Sequence, residues 1–221
     1  MLKRIRSLVS NFNFNPSFIE IYDNALTKEE CTMVMNQFAK SSQADNWGYT
    51  SQGFQPEQKK CKQITGGFDD NSVISTITYR RLCECVLKYN LTYLALGELS
   101  FWRIHKVWSF QKYEEEDDGY KVWHCEHGPS PNDGINRRIM AWMVYLNDAK
   151  CGTEFMSYPT IDAKMGRCVI WPAAWTHTHR GVCPNKGLKY IITGWVTYDT
   201  IEEVERTNER IKSGNPLPYF D

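Results

Sequence analysis

The sequence lacks both a long apolar run and an excess of either charge. Nowhere in its 221 residues do about 18 apolar residues follow one another, the length that predicts a transmembrane helix. Lys and Arg total 26, as do Asp and Glu, so the formal net charge is 0 with His neutral. We therefore expect no membrane and no nucleic acid among the partners.

We expect no signal peptide, and the sequence contains no C-x-x-C pair. Its basic first residues are followed at 7–15 by three asparagines rather than an apolar stretch. Eight cysteines are few for a disulfide scaffold of this length, and none has the spacing of a zinc or redox pair. We interpret them as buried thiols in a reducing compartment and expect a cytoplasmic protein, in the host cell if the source is viral.

The length and composition indicate one globular domain with a sizeable core. We divide the chain into a polar, Asn-rich N-terminal segment at 1–16, a folded domain at 17–200 and a polar C-terminal tail at 201–221. Aromatic residues make up 14% of the chain, which favours a β-rich fold or an aromatic-lined pocket.

Helical patterns come first in the chain and strand patterns follow. Thr27 and Glu30 form a capping box, and apolar residues behind it repeat on one helical face through Phe38. A second helix is predicted from Asn71 to about Tyr89, and the intervening residues 41–70 are predicted to be loops with short extended pieces. From about Leu96 onward, turn residues separate short runs typical of a sandwich or barrel. These predicted strands are 101–108, 120–125, 138–146, 153–156, 167–171, 175–182 and 188–196.

Four of the five histidines lie in two short clusters. His124 and Glu126 are two residues apart, as are His177 and His179. Because residues i and i+2 of a strand point to the same face, each pair can address one metal ion. Two imidazoles and one carboxylate suit a non-haem Fe(II) oxygenase, which needs open coordination positions. Zinc accepts the same ligands, so the pattern alone leaves a zinc-dependent hydrolase open.

Six motifs in the same order make the sequence similar to the 2-oxoglutarate and Fe(II)-dependent dioxygenases, in particular the prolyl-4-hydroxylase-like branch and its phage-type relatives. The resemblance covers about residues 17–200. It implies an α+β, mainly β fold, with a double-stranded β-helix (jelly-roll or cupin-like) core and N-terminal helices packed on it. The six motifs are IEIYDNALTKEEC at 19–31, YEEEDDGYKVWHCE at 113–126, RIMAWMVYLN at 138–147, CGTEF at 151–155, KMGRCVIW at 164–171 and HRGVCPNKGLKYIITGW at 179–195.

The resemblance implies the roles of individual residues. His124, Glu126 and His179 correspond to the catalytic iron ligands, with Glu126 standing where this branch usually has Asp. Lys189 follows His179 by ten residues, the family's usual spacing to the basic residue that binds 2-oxoglutarate. Tyr113 would donate a hydroxyl to the same carboxylate. Because His177 and His179 share a predicted strand face, His177 is the alternative distal ligand.

The implied activity is hydroxylation of a substrate coupled to decarboxylation of 2-oxoglutarate to succinate and CO₂. The implied cofactors are Fe(II), 2-oxoglutarate as co-substrate and O₂, with ascorbate as an optional reductant. The branch favours a prolyl or other residue of a protein or peptide as substrate. A free amino acid or other small molecule, a zinc-dependent hydrolase and a catalytically silent cupin-like binding module are the alternatives. The sequence does not indicate an oligomeric state.

Overall fold

The structure, a computed structural model, describes residues 17–50, 53–98, 101–115, 117–129, 134–181 and 187–213. The predicted segment 1–16 and the end of the predicted tail, 214–221, lie outside the described residues. The helices are α1 (Lys28–Ala39), α2 (Val73–Thr92) and α3 (Ile201–Lys212), with 3₁₀ turns at Leu94–Glu98 and Trp175–His177. The strands are β1 (Glu20–Tyr22), β2 (Lys59–Lys60), β3 (Lys62–Gly67), β4 (Trp102–Tyr113), β5 (Gly119–Tyr120), β6 (Arg138–Tyr145), β7 (Gly152–Phe155), β8 (Ile161–Asp162), β9 (Cys168–Pro172), β10 (His179–Gly181) and β11 (Lys189–Tyr198).

Antiparallel sheets form the core of the described chain. The largest sheet has the order β1-β9-β6-β11-β4-β3, and smaller sheets have the orders β10-β7-β8 and β2-β5. An isolated antiparallel bridge between His124 and His179 connects the β5–β6 segment to the β10-β7-β8 sheet. Many crossovers between non-consecutive strands are typical of a jelly roll, and the expected α+β, mainly β fold is confirmed.

One face of the large sheet is covered by α1 and α2. Val34 and Phe38 of α1 and Leu82 of α2 are fully or almost fully buried in the same cluster as Phe110 and Ile192 of the sheet. Burying each such side chain contributes about 1.5–3 kcal/mol. Because alternate residues of a strand point to opposite faces of the sheet, every second side chain packs against the helices. The side chains between them point to the opposite face, where they pack in a second layer.

The second layer lies on the opposite face of the large sheet. There Tyr113, Tyr145, Trp171 and Ile191 pack with Phe155 of the small sheet. The adjacent residue Ile192 belongs to the helix-side cluster, so neighbouring residues of β11 serve the two layers. The candidate site described below lies on this second face, away from the helices.

Glu30 stabilises the contact between α1 and α2. It closes the predicted capping box with Thr27, which is confirmed, and its carboxylate accepts hydrogen bonds from Arg80 and Arg81 of α2. We expect Glu30→Ala to lower the free energy of unfolding by about 2 kcal/mol, through loss of the cap and of a nearly buried ion pair. Urea denaturation measures this loss. Glu29→Ala is the control, because Glu29 is exposed; equal losses in both variants would contradict this role of Glu30.

Several predicted boundaries were wrong. The predicted strand 120–125 is reduced to Gly119–Tyr120, so His124 and Glu126 lie in the following loop. The predicted strand 175–182 begins as a 3₁₀ turn that contains His177, and only His179–Gly181 is extended. The predicted polar tail begins with α3, which Thr200 and Glu203 cap in the same way as Thr27 and Glu30 cap α1. None of the helices in the described ranges has the length and apolar character needed to cross a bilayer.

Candidate metal centre and active site

A His–Glu–His group is formed by residues that are distant in sequence. His124, Glu126 and His179 each offer one ligand atom, and these atoms all lie within 4.8 Å of one another. Small side-chain movements turn this spacing into a three-ligand site. The backbones of His124 and His179 bond reciprocally, with N–O distances of 3.0 and 2.9 Å, while the Glu126 amide donates to the Ala173 carbonyl. The bridge therefore fixes the relative positions of the two imidazoles.

Both imidazoles present their Nε2 atoms to the group. Nδ1 of His124 donates to the carbonyl of Val122 at 3.0 Å, and Nδ1 of His179 donates to the carbonyl of His177 at 2.9 Å. Because a carbonyl only accepts, both Nδ1 atoms carry the proton and both Nε2 atoms keep a lone pair. This second hydrogen bond is the usual arrangement for metal-ligating histidines.

The protonation states also suit a metal ion. Burial, reinforced by the neighbouring His179, lowers the pKa of His124 to about 4, and burial also lowers the pKa of His179. Both rings are therefore neutral at neutral pH, as a metal ligand requires. Burial opposes ionisation of Glu126, but the two histidines and a hydrogen bond from Trp195 outweigh it and lower the pKa of this carboxyl.

The two oxygens of Glu126 face different partners. Oε1 lies 3.6 Å from Nε2 of His179, on the side of the group. Oε2 accepts from the Trp195 indole at 2.5 Å and lies 3.4 Å from Nη1 of Arg138. The Arg138 guanidinium in turn stacks on the Trp195 ring, 3.6 Å from its centroid. Trp195 and Arg138 thus hold the carboxylate while leaving Oε1 for an ion.

The structure places His177 outside the group. Its Nε2 donates to the carbonyl of Ser17 at 2.7 Å, its Nδ1 is 2.9 Å from the Thr176 hydroxyl, and its ring stacks on Tyr158. The expectation that His177 and His179 share a strand face was wrong, because the 3₁₀ turn at Trp175–His177 rotates His177 away. Both ring nitrogens of His177 are engaged in bonds that keep it in this position.

A cavity of about 490 Å³ adjoins the group and is of ordinary ligand-binding size. Its floor is the second face of the large sheet. On β11 the lining residues alternate as Lys189, Ile191, Thr193 and Trp195, and β4 contributes Ser109, Gln111 and Tyr113 opposite them. All three members of the His–Glu–His group line the same cavity. A ligand in it can therefore contact the group and the sheet at once.

Lys189 and Tyr113 are cross-strand neighbours on this floor. They face each other in the register of β4 and β11, and the Lys189 ammonium lies 4.6 Å from the centroid of the Tyr113 ring. Lys189 is almost fully buried. The Tyr113 hydroxyl donates to the side-chain oxygen of Gln111. The adjacent Tyr190 points to the helix side, against Phe38. The cavity thus contains a buried cation on an aromatic surface.

Sequence reasoning assigned no role to four residues that shape the site: Trp195, Arg138, Tyr120 and Lys59. The Tyr120 ring stacks on His124 with a centroid distance of 3.7 Å and an interplanar angle of 14°. The sequence contains a signal for Trp195, because it follows Lys189 by six residues on the same strand. An even spacing places both side chains on the same face of that strand. No pattern in the sequence identifies Lys59, which belongs to a two-residue strand.

The acidic run at 114–118 is anchored to lysines. Glu115 and Asp117 pair with Lys60, and Glu114 pairs with Lys112. The carboxylate of Asp118 accepts from the backbone amides of Glu114 and Glu115, which closes the loop on itself. These contacts offset the repulsion among the four acidic residues of the run that the structure describes.

Comparison with known proteins gives a family match over part of the chain. The family model described as the 2OG-Fe(II) oxygenase superfamily, in which 2OG is 2-oxoglutarate, matches residues 108–197, a range that includes the complete His–Glu–His group. The chain is similar to this superfamily over that range. The match indicates Fe(II) and 2-oxoglutarate as cofactors and O₂ as oxidant, and the donor set of the group fits Fe(II). A search by sequence among curated proteins found no match.

Solved structures show that the chain resembles prolyl hydroxylases in fold. The viral collagen prolyl hydroxylase of Paramecium bursaria Chlorella virus-1, in complex with 2OG, has a TM-score of 0.64 at 16% identity, covering 85% of this chain and 99% of that one. A Trichoplax adhaerens prolyl hydroxylase, in complex with a peptide of hypoxia inducible factor, has a TM-score of 0.63 at 19% identity, covering 93% and 94%. The non-haem, α-ketoglutarate-dependent epimerase SnoN of nogalamycin biosynthesis has a TM-score of 0.57 at 12% identity, covering 90% and 85%.

Proposed function

We propose that the protein is a 2OG oxygenase that hydroxylates a prolyl or other residue of a protein or peptide, with decarboxylation of 2-oxoglutarate to succinate and CO₂. The observation that carries the proposal is that His124, Glu126, His179 and the buried cation Lys189 all line one cavity. A zinc-dependent hydrolase would have no use for Lys189 on the cavity floor. A silent binding module would not need two imidazoles whose Nδ1 atoms are both committed to carbonyls.

In the proposed mechanism, Nε2 of His124, Oε1 of Glu126 and Nε2 of His179 would hold Fe(II), which would supply the redox chemistry of the reaction. The cavity beside these three side chains would accommodate 2-oxoglutarate and O₂. Trp195 and Arg138 orient Glu126 through its other oxygen, and Tyr120 supports the ring of His124 by stacking on it.

Lys189 would pair with the carboxylate of 2-oxoglutarate that is distant from the metal. A buried ammonium without water around it is a strong partner for such an anion. Tyr113 supports Lys189 with its ring, and its hydroxyl would reach the same carboxylate by turning its hydrogen away from Gln111. Together these residues orient the co-substrate and keep water from the inner end of the cavity.

The peptide substrate is supported by the prolyl hydroxylases that share the fold, one of them solved with a peptide. The second candidate is a small molecule, favoured by the likeness to SnoN. The decisive experiment supplies Fe(II), 2-oxoglutarate and ascorbate with a panel of proline-containing peptides or with free amino acids. We expect succinate formation and an added mass of one oxygen atom on a peptide. Succinate formation with small molecules alone would contradict the peptide proposal.

Trp195 should matter for metal affinity. Trp195→Phe keeps the aromatic surface for Arg138 but removes the indole donor to Glu126. We expect metal affinity to fall by about tenfold to a hundredfold, the usual effect of losing a hydrogen bond that orients a ligand. Competition with a chelator measures this change. Trp175→Phe is the control, because Trp175 is 76% exposed and belongs to the neighbouring 3₁₀ turn. Unchanged affinity in Trp195→Phe would contradict the role given to the indole.

A further inference from the structure

Lys59 is a second buried cation on the cavity wall, and the mechanism above does not use it. Lys59 is 5% exposed and lines the same cavity as the His–Glu–His group. Its Nζ donates to the side-chain oxygen of Gln63 at 2.6 Å and to the carbonyl of Tyr49 at 3.4 Å. Both acceptors are neutral. Among the described residues, no carboxylate lies within ion-pair distance of Lys59.

A buried ammonium with neutral acceptors alone costs free energy that a counter-ion would recover. Burial accordingly lowers the pKa of Lys59 from its ordinary value. The neighbouring lysine of β2, Lys60, has acidic partners, because it pairs with Glu115 and Asp117 outside the cavity. Arg138, another cation that lines the cavity, pairs with Glu126. The two acceptors that Lys59 bonds are thus neutral, and Glu126 acts on its charge only from beyond ion-pair distance.

Lys59 lies near the candidate metal ligands. Its ammonium is 5.7 Å from the centroid of the Tyr120 ring, which stacks on His124. The backbone carbonyl that it bonds belongs to Tyr49, which also lines the cavity. A substrate in the cavity can therefore contact Lys59 and the candidate ligands together.

Lys59 is also separated from the proposed 2-oxoglutarate subsite. Between it and Tyr113 runs a row of polar side chains, in which Gln111 donates to Gln63 at 3.3 Å and Tyr113 donates to Gln111. Lys189 lies beyond Tyr113, over its ring. The two lysines thus lie at the two ends of this row of polar side chains in one cavity.

We propose that Lys59 binds a carboxylate of the substrate, so that the enzyme selects substrates with a single negative charge near the carbon to be oxidised. The inference rests on the proposed function and narrows its substrate class. One cation flanked by neutral acceptors matches a monoanion, whereas a phosphate would bring a second charge without a partner. The carboxylate can belong to an acidic side chain next to the target residue of a peptide, or to the α-carboxyl group of a free amino acid.

Matched acid and amide probes distinguish these sources. Anaerobic calorimetry on the protein loaded with Fe(II) and 2-oxoglutarate would compare a peptide with Asp on both sides of Pro with the same peptide carrying Asn. A second pair is L-proline and L-prolinamide. We expect the acid of one pair to bind about tenfold or more tightly than its amide, the effect of one charge-assisted hydrogen bond. Equal binding within both pairs, or no binding of either acid, would overturn the proposal.

Variants then assign the preference to Lys59. Lys59→Met should abolish the preference for the acid, Lys59→Arg should keep most of it, and Lys60→Met should leave it unchanged. A preserved preference in Lys59→Met would overturn the assignment, as would a raised 2-oxoglutarate requirement with acid binding intact. If Lys59→Met does not fold, Lys59→Gln replaces it. Failure of the proposed function has a separate signature, because succinate would then form with none of the probes.

Discussion

His179→Gln should reduce 2-oxoglutarate-dependent turnover by about a thousandfold or more, because it removes one of the three proposed metal ligands. Iron bound to the purified variant should fall in parallel. The reason is geometric: Nε2 of His179 faces Oε1 of Glu126, and Nδ1 is committed to the carbonyl of His177. Turnover measured as succinate formation and iron measured by atomic absorption together check this expectation.

His177→Gln is the matched control for that experiment. Both histidines are nearly buried and lie two residues apart, but His177 bonds the carbonyl of Ser17, which a glutamine amide can also reach. We expect this variant to keep its iron and most of its turnover, with a small loss of stability. Loss of iron in His177→Gln together with retention in His179→Gln would reverse the assignment of the distal ligand.

Lys189→Met should raise the KM for 2-oxoglutarate by about tenfold to a hundredfold, the effect of losing one charged hydrogen bond in a buried site. The maximal rate at saturating co-substrate should change less, because in the proposed mechanism Lys189 contacts the far end of 2-oxoglutarate rather than the reacting atoms. Lys189→Arg should restore part of the affinity, since a guanidinium also stacks on the Tyr113 ring.

Lys112→Met provides the matched control for Lys189. Lys112 precedes Tyr113 on the same strand but pairs with Glu114 outside the cavity. Its replacement should leave the KM for 2-oxoglutarate unchanged. An unaltered KM in Lys189→Met would exclude Lys189 as the co-substrate residue and direct attention to the other cavity cation, Lys59.

The sequence indicated candidate residues that the structure brings together, but it did not predict the backbone that holds them. Strand alternation brought His124 and Glu126 together as a candidate pair, yet both lie in a loop whose position depends on the long-range bridge to His179. A single-sequence pattern reports local conformation and carries no information on such a bridge. The same limitation affected His177, because nothing in the tripeptide His-Thr-His distinguishes a 3₁₀ turn from a strand.

Other features were missed although the signal was present. Thr200 and Glu203 form the same capping box as Thr27 and Glu30, but the polar composition that follows was interpreted as a tail. The alternation from Lys189 to Trp195 places the indole on the cavity side of β11. Lys59 is different, because its role depends on the fold bringing β2 beside β5, more than 50 residues away in sequence.

The most direct test of the central claim is anaerobic addition of Fe(II) and then 2-oxoglutarate to the metal-free protein, followed by visible absorption spectroscopy. Chelation of Fe(II) by the keto acid in this three-ligand site predicts a metal-to-ligand charge-transfer band that is lost in His179→Gln and kept in His177→Gln. No band in the wild-type protein, with tight binding of zinc instead, would contradict the claim that this cavity is a 2-oxoglutarate-dependent iron site.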